Sequence, residues 1–249
     1  SPNIINVIRQ GSSIKNTKIA PIYYSDIIAQ FLSETSDEKI EFTANNIEYE
    51  FSSGKKGLYD FTFKEESGRL VGIMGGSGSG KSTLLNVLNG NYPPSSGEIK
   101  INGIGLYESP KLLEGVIGFV PQDDLLIEEL SVFENLYYNG KLCFGNYEDD
   151  KLVELVNEVL VSIGLFEAKD LKVGNPLSKT ISGGQRKRLN IALELIREPS
   201  ILFVDEPTSG LSSNDSEIIM DLLKILALKG KLIFVVIHQP SSEIYKMFD

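Results

Sequence analysis

The chain has 249 residues, of which 41% are hydrophobic and 23% charged, an ordinary composition for a soluble globular protein of one large domain or two small ones. Acidic residues outnumber basic ones by 34 to 24, and the net charge of −10 argues against nucleic acid as a partner, because binding a phosphate backbone depends on clustered lysine and arginine. Cys143 is the only cysteine, which excludes an internal disulfide and gives no sign of a zinc cluster.

The apolar runs of the sequence are short. The longest, residues 201–204 and 232–237, have the length of buried strands and fall far short of the ~20 residues that span a bilayer. The N-terminus has no basic stretch followed by an apolar one, so no signal peptide is expected. Any membrane role is therefore expected to be exercised through a partner or through another part of a longer polypeptide.

Residues 1–39 form a polar N-terminal extension. Pro21 is placed to open a helix, since proline is favoured at the first helical position. Helical spacing then predicts one apolar face, which consists of Tyr24, Ile27, Ile28, Phe31 and Leu32. We expect this amphipathic helix to pack on its own domain, and a partner-binding segment is the alternative.

From residue 40 onward the sequence alternates between strand and helix patterns. Strands are predicted over residues 40–51, 58–63, 70–74, 98–101, 116–120, 201–204 and 232–237. Helices are predicted over residues 81–88, 149–163, 186–196 and 217–228. Buried strands separated by helices imply an α/β fold with a mainly parallel sheet covered on both faces. Within a domain of residues 40–249, the segment of about 123–182 reads as helix and loop and is predicted to be a separate helical subdomain.

A glycine-rich segment lies between the predicted strand 70–74 and the predicted helix 81–88. It matches the Walker A pattern with Gly75, Gly76, Ser77, Gly78, Ser79, Gly80, Lys81 and Ser82. Glycines let several backbone N–H groups converge on a β-phosphate, and the following helix points its positive end at the same place. Lys81 is predicted to neutralise the β- and γ-phosphates, Ser82 to hold Mg²⁺, and Thr83 to be a further phosphate ligand.

Two acids follow the buried strand 201–204, at the edge where parallel sheets bind ligands. Asp205 is predicted to hold Mg²⁺, directly or through water. Glu206 is predicted to polarise the attacking water, because γ-phosphate transfer needs mainly positioning and control of charge. Together with the Walker A match, these acids predict binding and hydrolysis of ATP.

A second anion-binding turn opens the predicted helix 186–196, where backbone N–H groups at a helix N-terminus are available to a phosphate. It consists of Ser182, Gly183, Gly184 and Gln185. With the basic residues that follow, this segment resembles the signature of the ABC ATPases. The resemblance implies a P-loop NTPase (RecA-like) core, an antiparallel β subdomain and an ABC-type α-helical subdomain. It also implies a head-to-tail dimer, in which the signature of one copy covers the γ-phosphate of ATP bound by the other.

The same resemblance implies roles for further residues. Gln122 stands where ABC proteins carry the glutamine of the Q-loop, which senses Mg²⁺ and the attacking water. His238, the only histidine of the chain, stands where the family has the switch histidine that contacts the γ-phosphate. An aromatic residue upstream of Walker A stacks on adenine in the family, and Phe51 aligns best, with Tyr49 as the alternative.

The resemblance covers residues 40–249 and, through residues 205–211 and 237–244, is strongest to the White or G subfamily of exporters. Two departures stand out. Ser212 occupies the position of the D-loop aspartate, which communicates between the two ATP sites of the family. The chain also ends soon after His238, as expected of a fragment of a longer polypeptide.

The function implied is that of an ATP-hydrolysing domain on the cytoplasmic side of the cell membrane, with ATP and Mg²⁺ as cofactors. Its implied partners are a second such domain and a transmembrane domain in the same longer polypeptide, and no nucleic acid. Two alternatives stay open. A soluble ABC ATPase acting on ribosomes or DNA would need a basic groove, and a degenerate ATP sensor is supported only by Ser212.

Overall fold

The computed structural model describes residues 39–145, 147–175 and 180–249, together with the backbone of 13–16 and 19–23. Its strands are β1 Ser13–Asn16, β2 Ile19–Tyr23, β3 Glu41–Glu50, β4 Lys56–Glu66, β5 Leu70–Met74, β6 Ser96–Ile101, β7 Ile104–Gly105, β8 Ile117–Val120, β9 Ile201–Asp205 and β10 Leu232–Ile237. Its α-helices are α1 Lys81–Leu88, α2 Val132–Cys143, α3 Asp149–Ser162, α4 Gly183–Leu195, α5 Ser213–Leu228 and α6 Ser242–Tyr245. Short 3₁₀ helices span Pro110–Leu113 and Phe166–Ala168.

The centre of the fold is a parallel sheet of four strands in the order β5, β10, β9, β8. β9 and β10 are buried along their whole length, as continuous apolar runs in a sheet covered on both faces must be. Alternate residues of β9 supply two cores: Leu202 and Val204 pack with the helices α2–α5, whereas Ile201 and Phe203 pack with α1 and the second large sheet. The predicted α/β class and the parallel sheet are confirmed.

The second large sheet is antiparallel, with strand order β4, β3, β6, β7. It is joined to the parallel sheet by packed phenyl rings. Phe42 of β3 lies 5.4 Å from Phe234 of β10, and Phe203 and Phe234 stack at 4.8 Å, measured between ring centroids. Aromatic pairs at these distances contribute stabilisation beyond that of apolar burial. The two sheets and α1 therefore share the second of the two cores.

Between β8 and α4, the described residues form α2, α3 and loops, with no strand of either large sheet. α2 begins with a capping box, since the Ser131 hydroxyl accepts from the Glu134 N–H and the Glu134 carboxylate accepts from the Ser131 N–H. α3 buries one apolar stripe, formed by Leu152, Val156 and Leu160. The helical content agrees with the sequence pattern, although α2 itself was not among the predicted helices. The boundary of a helical subdomain at 123–182 stays a prediction.

The N-terminal extension differs from the prediction at one point. β1 and β2 pair as an antiparallel hairpin, and Pro21 lies inside β2, so it does not open a helix. A two-stranded sheet consists of edge strands alone, where a missing N–H is tolerated, and the neighbouring isoleucines favour extended backbone. The remainder of the predicted helix, from Tyr24 to Leu32, lies outside the described residues. None of the helices in the described ranges is long and apolar enough to cross a membrane.

Candidate functional site

The parallel sheet brings the predicted site residues to one edge. Gly75 follows β5, Asp205 ends β9, His238 follows β10 and Gln122 lies two residues after β8, so all four stand at the carboxyl ends of neighbouring strands. A cleft of about 540 Å³ opens there. Its lining residues are Phe51, Lys55, Lys56, Gly57, Tyr59, Ser77, Gly78, Ser79, Gly80, Lys81, Ser82, Thr83, Glu206 and His238.

The loop between β5 and α1 has the backbone that its glycines allow. Gly78 and Gly80 have φ of 73° and 90°, in the left-handed region that side chains with a Cβ avoid. Gly80 is also the N-cap of α1 and contributes no capping side chain, so the N–H groups of the first helical turn stay available to a ligand. The loop therefore presents backbone donors and a helix N-terminus to the cleft.

Lys81 lies at the base of this loop and is only 8% exposed. Its ammonium donates to the carbonyl oxygens of Gly75 at 3.0 Å and Gly76 at 2.8 Å. His238 Nε2 lies 3.4 Å from Lys81 Nζ. A buried ammonium held mainly by neutral carbonyl groups is a site for an anion, because the positive charge is incompletely compensated.

Glu206 also lies beside His238. Its carboxylate oxygen Oε1 is 3.5 Å from His238 Nε2, so the Lys81 ammonium and the Glu206 carboxylate both approach the same imidazole nitrogen. The backbone of Glu206 has φ of 46°, a conformation uncommon for a residue with a Cβ, and is held by a hydrogen bond of 3.0 Å from its N–H to Val236 O. Backbone strain of this kind concentrates at functional sites, where surrounding structure enforces it.

Asp205 is the buried acid of the site, at 9% exposure. Burial and the neighbouring Glu206 raise the pKa of the Asp205 carboxyl, while Lys187, the Ser82 hydroxyl and Lys81 act in the opposite direction. Among the described residues, Asp205 Oδ1 is a buried oxygen without a hydrogen-bond partner. Such an oxygen beside a hydroxyl suits Mg²⁺, which binds one or two protein oxygens and takes its other ligands from water and phosphate. No group of three or more His, Cys, Asp or Glu among the described residues has metal-binding geometry.

The second anion-binding turn stands apart from the cleft of its own chain, since none of its four residues lines that cleft. Ser182 caps α4: its hydroxyl accepts from the Gln185 N–H at 3.1 Å, and the Gln185 side chain accepts from the Ser182 N–H at 2.7 Å. Gly184 is packed against the first turn of α5, where a Cβ would lie 2.4 Å from Asp215 Oδ1. The turn is therefore rigid and begins a helix at the protein surface.

Gln122 and Tyr49 also lie outside the lining of the cleft. Gln122 is exposed, and its backbone oxygen accepts from the ammonium of Lys187. Tyr49 stacks on Tyr92 with 5.7 Å between ring centroids, whereas Phe51 lines the cleft. Of the two candidate aromatics, Phe51 is the one placed to meet a base.

Four residues of the cleft wall were not predicted from the sequence, and these are Lys55, Lys56, Gly57 and Tyr59. They lie on the turn after β3 and on β4, and Tyr59 is 74% exposed with the Lys56 ammonium 5.6 Å from its ring centroid. The only signal in the sequence was a pair of lysines between the candidate base-stacking residue and the next strand. These residues line the cleft because the turn between β3 and β4 packs across the Walker A loop, where the Gly57 carbonyl oxygen lies close to Gly80.

Ser212 is the N-cap of α5. Its hydroxyl accepts from the Asp215 N–H at 3.1 Å and also donates to Asp215 Oδ2 at 2.8 Å. Serine and aspartate are both good N-caps, so serine at this position caps the helix as an aspartate would, and its hydroxyl in addition donates to the Asp215 carboxylate.

Comparison with known proteins identifies the family. The sequence profile described as "ABC transporter" matches residues 58–209, more than half of the chain. A solved structure of cbiO1 from Clostridium perfringens, part of the ABC transporter complex cbiONQ, superposes with a TM-score of 0.71 at 30% identity and covers 81% of this chain and 80% of its own. The P-loop NTPase core with its added β and helical parts is thereby confirmed.

Curated relatives point to one branch of this family. ABC transporter claG of Penicillium crustosum is 38% identical over 216 residues, which are 83% of this chain and 29% of that protein. ABC transporter G family member 28 of Arabidopsis thaliana is 42% identical over 191 residues, 76% of this chain and 17% of that protein. The chain thus spans less than a third of the length of these relatives. It belongs to the ABC transporter family, as an ATP-binding domain of the White or G type.

Proposed function

We propose that this chain binds ATP with Mg²⁺ and hydrolyses it to ADP and phosphate, as the motor domain of a membrane exporter. The observation that carries the proposal is the cluster of Lys81, His238 and Glu206 in the cleft, where His238 Nε2 lies 3.4 Å from Lys81 Nζ and 3.5 Å from Glu206 Oε1. An ammonium, an imidazole and a carboxylate at the end of a phosphate-binding loop are the groups that γ-phosphate transfer needs for charge neutralisation and for orienting water.

Binding of the triphosphate is assigned to the loop and its lysine. The N–H groups between Gly75 and Thr83 point to the phosphates, and the Lys81 ammonium exchanges its two carbonyl partners for phosphate oxygens. The adenine ring stacks on Phe51 at the far end of the same cleft. A site of this kind gains most of its affinity from the phosphates, because these carry the charge.

The metal is assigned to Ser82 and Asp205, with Gln122 as a third oxygen ligand. The unpartnered oxygen of Asp205 and the neighbouring hydroxyl supply hard oxygen donors that fit Mg²⁺. When bound, Mg²⁺ neutralises charge on the β- and γ-phosphate oxygens. Burial and Glu206 raise the pKa of Asp205, and a bound cation would act in the opposite direction by stabilising the carboxylate.

Hydrolysis is assigned to Glu206 and His238. The Glu206 carboxylate accepts a hydrogen bond from the attacking water, and its enforced backbone conformation fixes the direction of that bond. The imidazole of His238, between Glu206 and Lys81, donates to the γ-phosphate as negative charge shifts onto its oxygens.

A second copy of the domain completes each site. Ser182, Gly183, Gly184 and Gln185 form a capped helix N-terminus that lies outside the lining of its own chain's cleft, which supports a head-to-tail dimer with this turn on the partner's γ-phosphate. The greater length of the curated relatives supports a transmembrane domain in the same polypeptide, with the motor domain on the cytoplasmic side. ATP-driven closure of the dimer then moves that domain, since ATP favours the closed state.

The proposal is tested by Glu206→Gln, which keeps the shape of the side chain and removes its charge. We expect ATP turnover to fall by about 100-fold or more, with ATP affinity kept and an ATP-dependent dimer on a sizing column. Glu98→Gln on β6, away from the cleft, is the matched control and should hydrolyse ATP like the unaltered chain. Turnover by Glu206→Gln at the control rate would contradict the proposal. ATP binding without turnover in the unaltered chain would instead identify an ATP sensor.

A further inference from the structure

The first turns of α4 hold the loop that follows β8. Arg186 Nε donates to Asp124 Oδ2 at 3.0 Å and Arg186 NH2 donates to Asp124 Oδ1 at 3.1 Å, a bidentate pair. The arginine is 7% exposed, and its NH1 reaches back to the carbonyl of Gly174. This is the only ion pair in the described parts of the chain that joins the helix beginning at Ser182 to the loop containing Gln122.

Two more side chains of α4 hold the same loop. The Lys187 ammonium donates to the backbone oxygen of Gln122. Asn190 bonds both ends of the segment, since its Oδ1 accepts from the Leu125 N–H at 3.2 Å and its Nδ2 donates to Pro121 O at 3.5 Å. Arg186, Lys187 and Asn190 are here called the clasp. They fix residues 121–125 from one end to the other.

The clasp differs from an ordinary surface ion pair. The pair between Arg69 and Glu65 has side chains that are 54% and 22% exposed, and such pairs contribute little. In the clasp the Arg186 side chain is 8% exposed, so loss of its carboxylate partner would leave a buried charge uncompensated. The ammonium of Lys187 also lies within electrostatic reach of Asp205 and Glu206. The clasp therefore joins the start of α4 to residues 121–125, and its Lys187 lies in the electrostatic field of the acids at the end of β9.

Resting on the proposed function, we propose that Arg186 and Lys187 are positioning residues of the metal site, which hold Gln122 at Mg²⁺ and make its position depend on that of α4. In a head-to-tail dimer, the N-terminus of α4 contacts the partner's γ-phosphate, while Gln122 serves the site of its own chain. A rigid helix with a bidentate anchor one turn from its start transmits a displacement at Ser182 to Gln122. The two ATP sites are thereby coupled through each chain.

The test is the Mg²⁺ dependence of ATP hydrolysis in the full chain carrying Asp124→Asn. This change keeps the size of the side chain but removes its charge and one acceptor. We expect the Mg²⁺ concentration for half-maximal turnover to rise about tenfold or more, the usual effect of losing a partner that orients a metal ligand. ATP affinity measured in EDTA, which excludes the metal, should stay within about twofold, because the phosphate loop is not altered.

Two further variants distinguish a loss of Gln122 positioning from a failure of the chain to fold. Asp124→Glu retains the carboxylate and should recover most of the Mg²⁺ affinity, whereas Lys187→Gln should weaken it even if Asp124→Asn does not fold. Glu65→Gln, which breaks the exposed pair with Arg69, is the matched control and should leave the Mg²⁺ dependence unchanged. An unchanged Mg²⁺ dependence in Asp124→Asn and Lys187→Gln would overturn the proposed role of Arg186 and Lys187 in positioning Gln122. Absence of Mg²⁺-dependent turnover in the unaltered chain would overturn the proposed function instead.

Discussion

Ser212→Asp would restore the aspartate that ABC proteins usually carry at this position, yet in this chain we predict that it destabilises the fold. The Ser212 hydroxyl both accepts from the Asp215 N–H and donates to the Asp215 carboxylate, at 3.1 Å and 2.8 Å. An aspartate at this position would still cap the helix, but it has no proton to donate at neutral pH. The two carboxylates would then face each other at the start of α5.

The expected magnitude follows from these contacts. The hydrogen bond to Asp215 is lost, which costs about 1 kcal/mol. Repulsion between two carboxylates about 4 Å apart in water adds ~1 kcal/mol. Ser212→Asp should therefore lower the free energy of unfolding by about 2 kcal/mol, equivalent to a fall in Tm of about 4–8 °C for a domain of this size.

Urea unfolding and thermal melting of three variants test this reasoning. The double change Ser212→Asp with Asp215→Ser moves the acid to the N-cap and the hydroxyl to the third helical position, so no carboxylates face each other. We expect its stability to lie within about 0.5 kcal/mol of the unaltered chain. Ser212→Ala, which loses both the cap and the hydrogen bond to the Asp215 carboxylate, should cost about 2 kcal/mol. If Ser212→Asp alone is as stable as the unaltered chain, the hydroxyl–carboxylate pair has no energetic role.

Three other predictions concern the cleft. His238→Ala should slow phosphate release by roughly 100-fold while calorimetric ATP affinity changes little; full activity would leave His238 a structural residue. Burial raises the pKa of Asp205, so the metal-free chain loses stability as the pH rises from the ordinary aspartate range through that raised pKa. Asp205→Asn, which removes an assigned metal ligand, should abolish turnover yet stabilise the metal-free chain at neutral pH and not at acid pH, checked by urea unfolding at both; equal stability at neutral pH would contradict this. Phe51→Ala should weaken ATP binding by about tenfold and Tyr49→Ala much less, and the reverse order would move the adenine to Tyr49.

The strands and the phosphate-binding loop could be predicted because each depends on local pattern. Residues 201–204 and 232–237 are apolar runs too short for anything but buried strands, and the structure has them as β9 and β10. The Walker A pattern of glycines followed by lysine and serine, placed between a strand and a helix, predicts a phosphate-binding loop, and the structure has that loop before α1. The acids and the histidine lie at one edge of the sheet because parallel strands end together, and their roles stay a prediction.

The errors and omissions arose where packing outweighs local sequence. Pro21 has the signal of a first helical residue, but pairing with β1 placed it in a strand. Tyr59 and its neighbouring lysines enter the cleft only because β4 folds back over the phosphate-binding loop. The contacts of Arg186 with Asp124 join positions 62 residues apart, and no periodicity in the sequence marks such a pair.

The claim on which the account depends is that the loop from Gly75 to Ser82 and the ammonium of Lys81 hold a triphosphate. Calorimetric titration of ATP with Mg²⁺ into the unaltered chain and into Lys81→Ala tests it most directly. We predict one ATP bound per chain and an affinity at least about 100-fold lower in the variant, since a buried charge-assisted contact to phosphate is removed. Equal affinity in the two proteins would contradict the account.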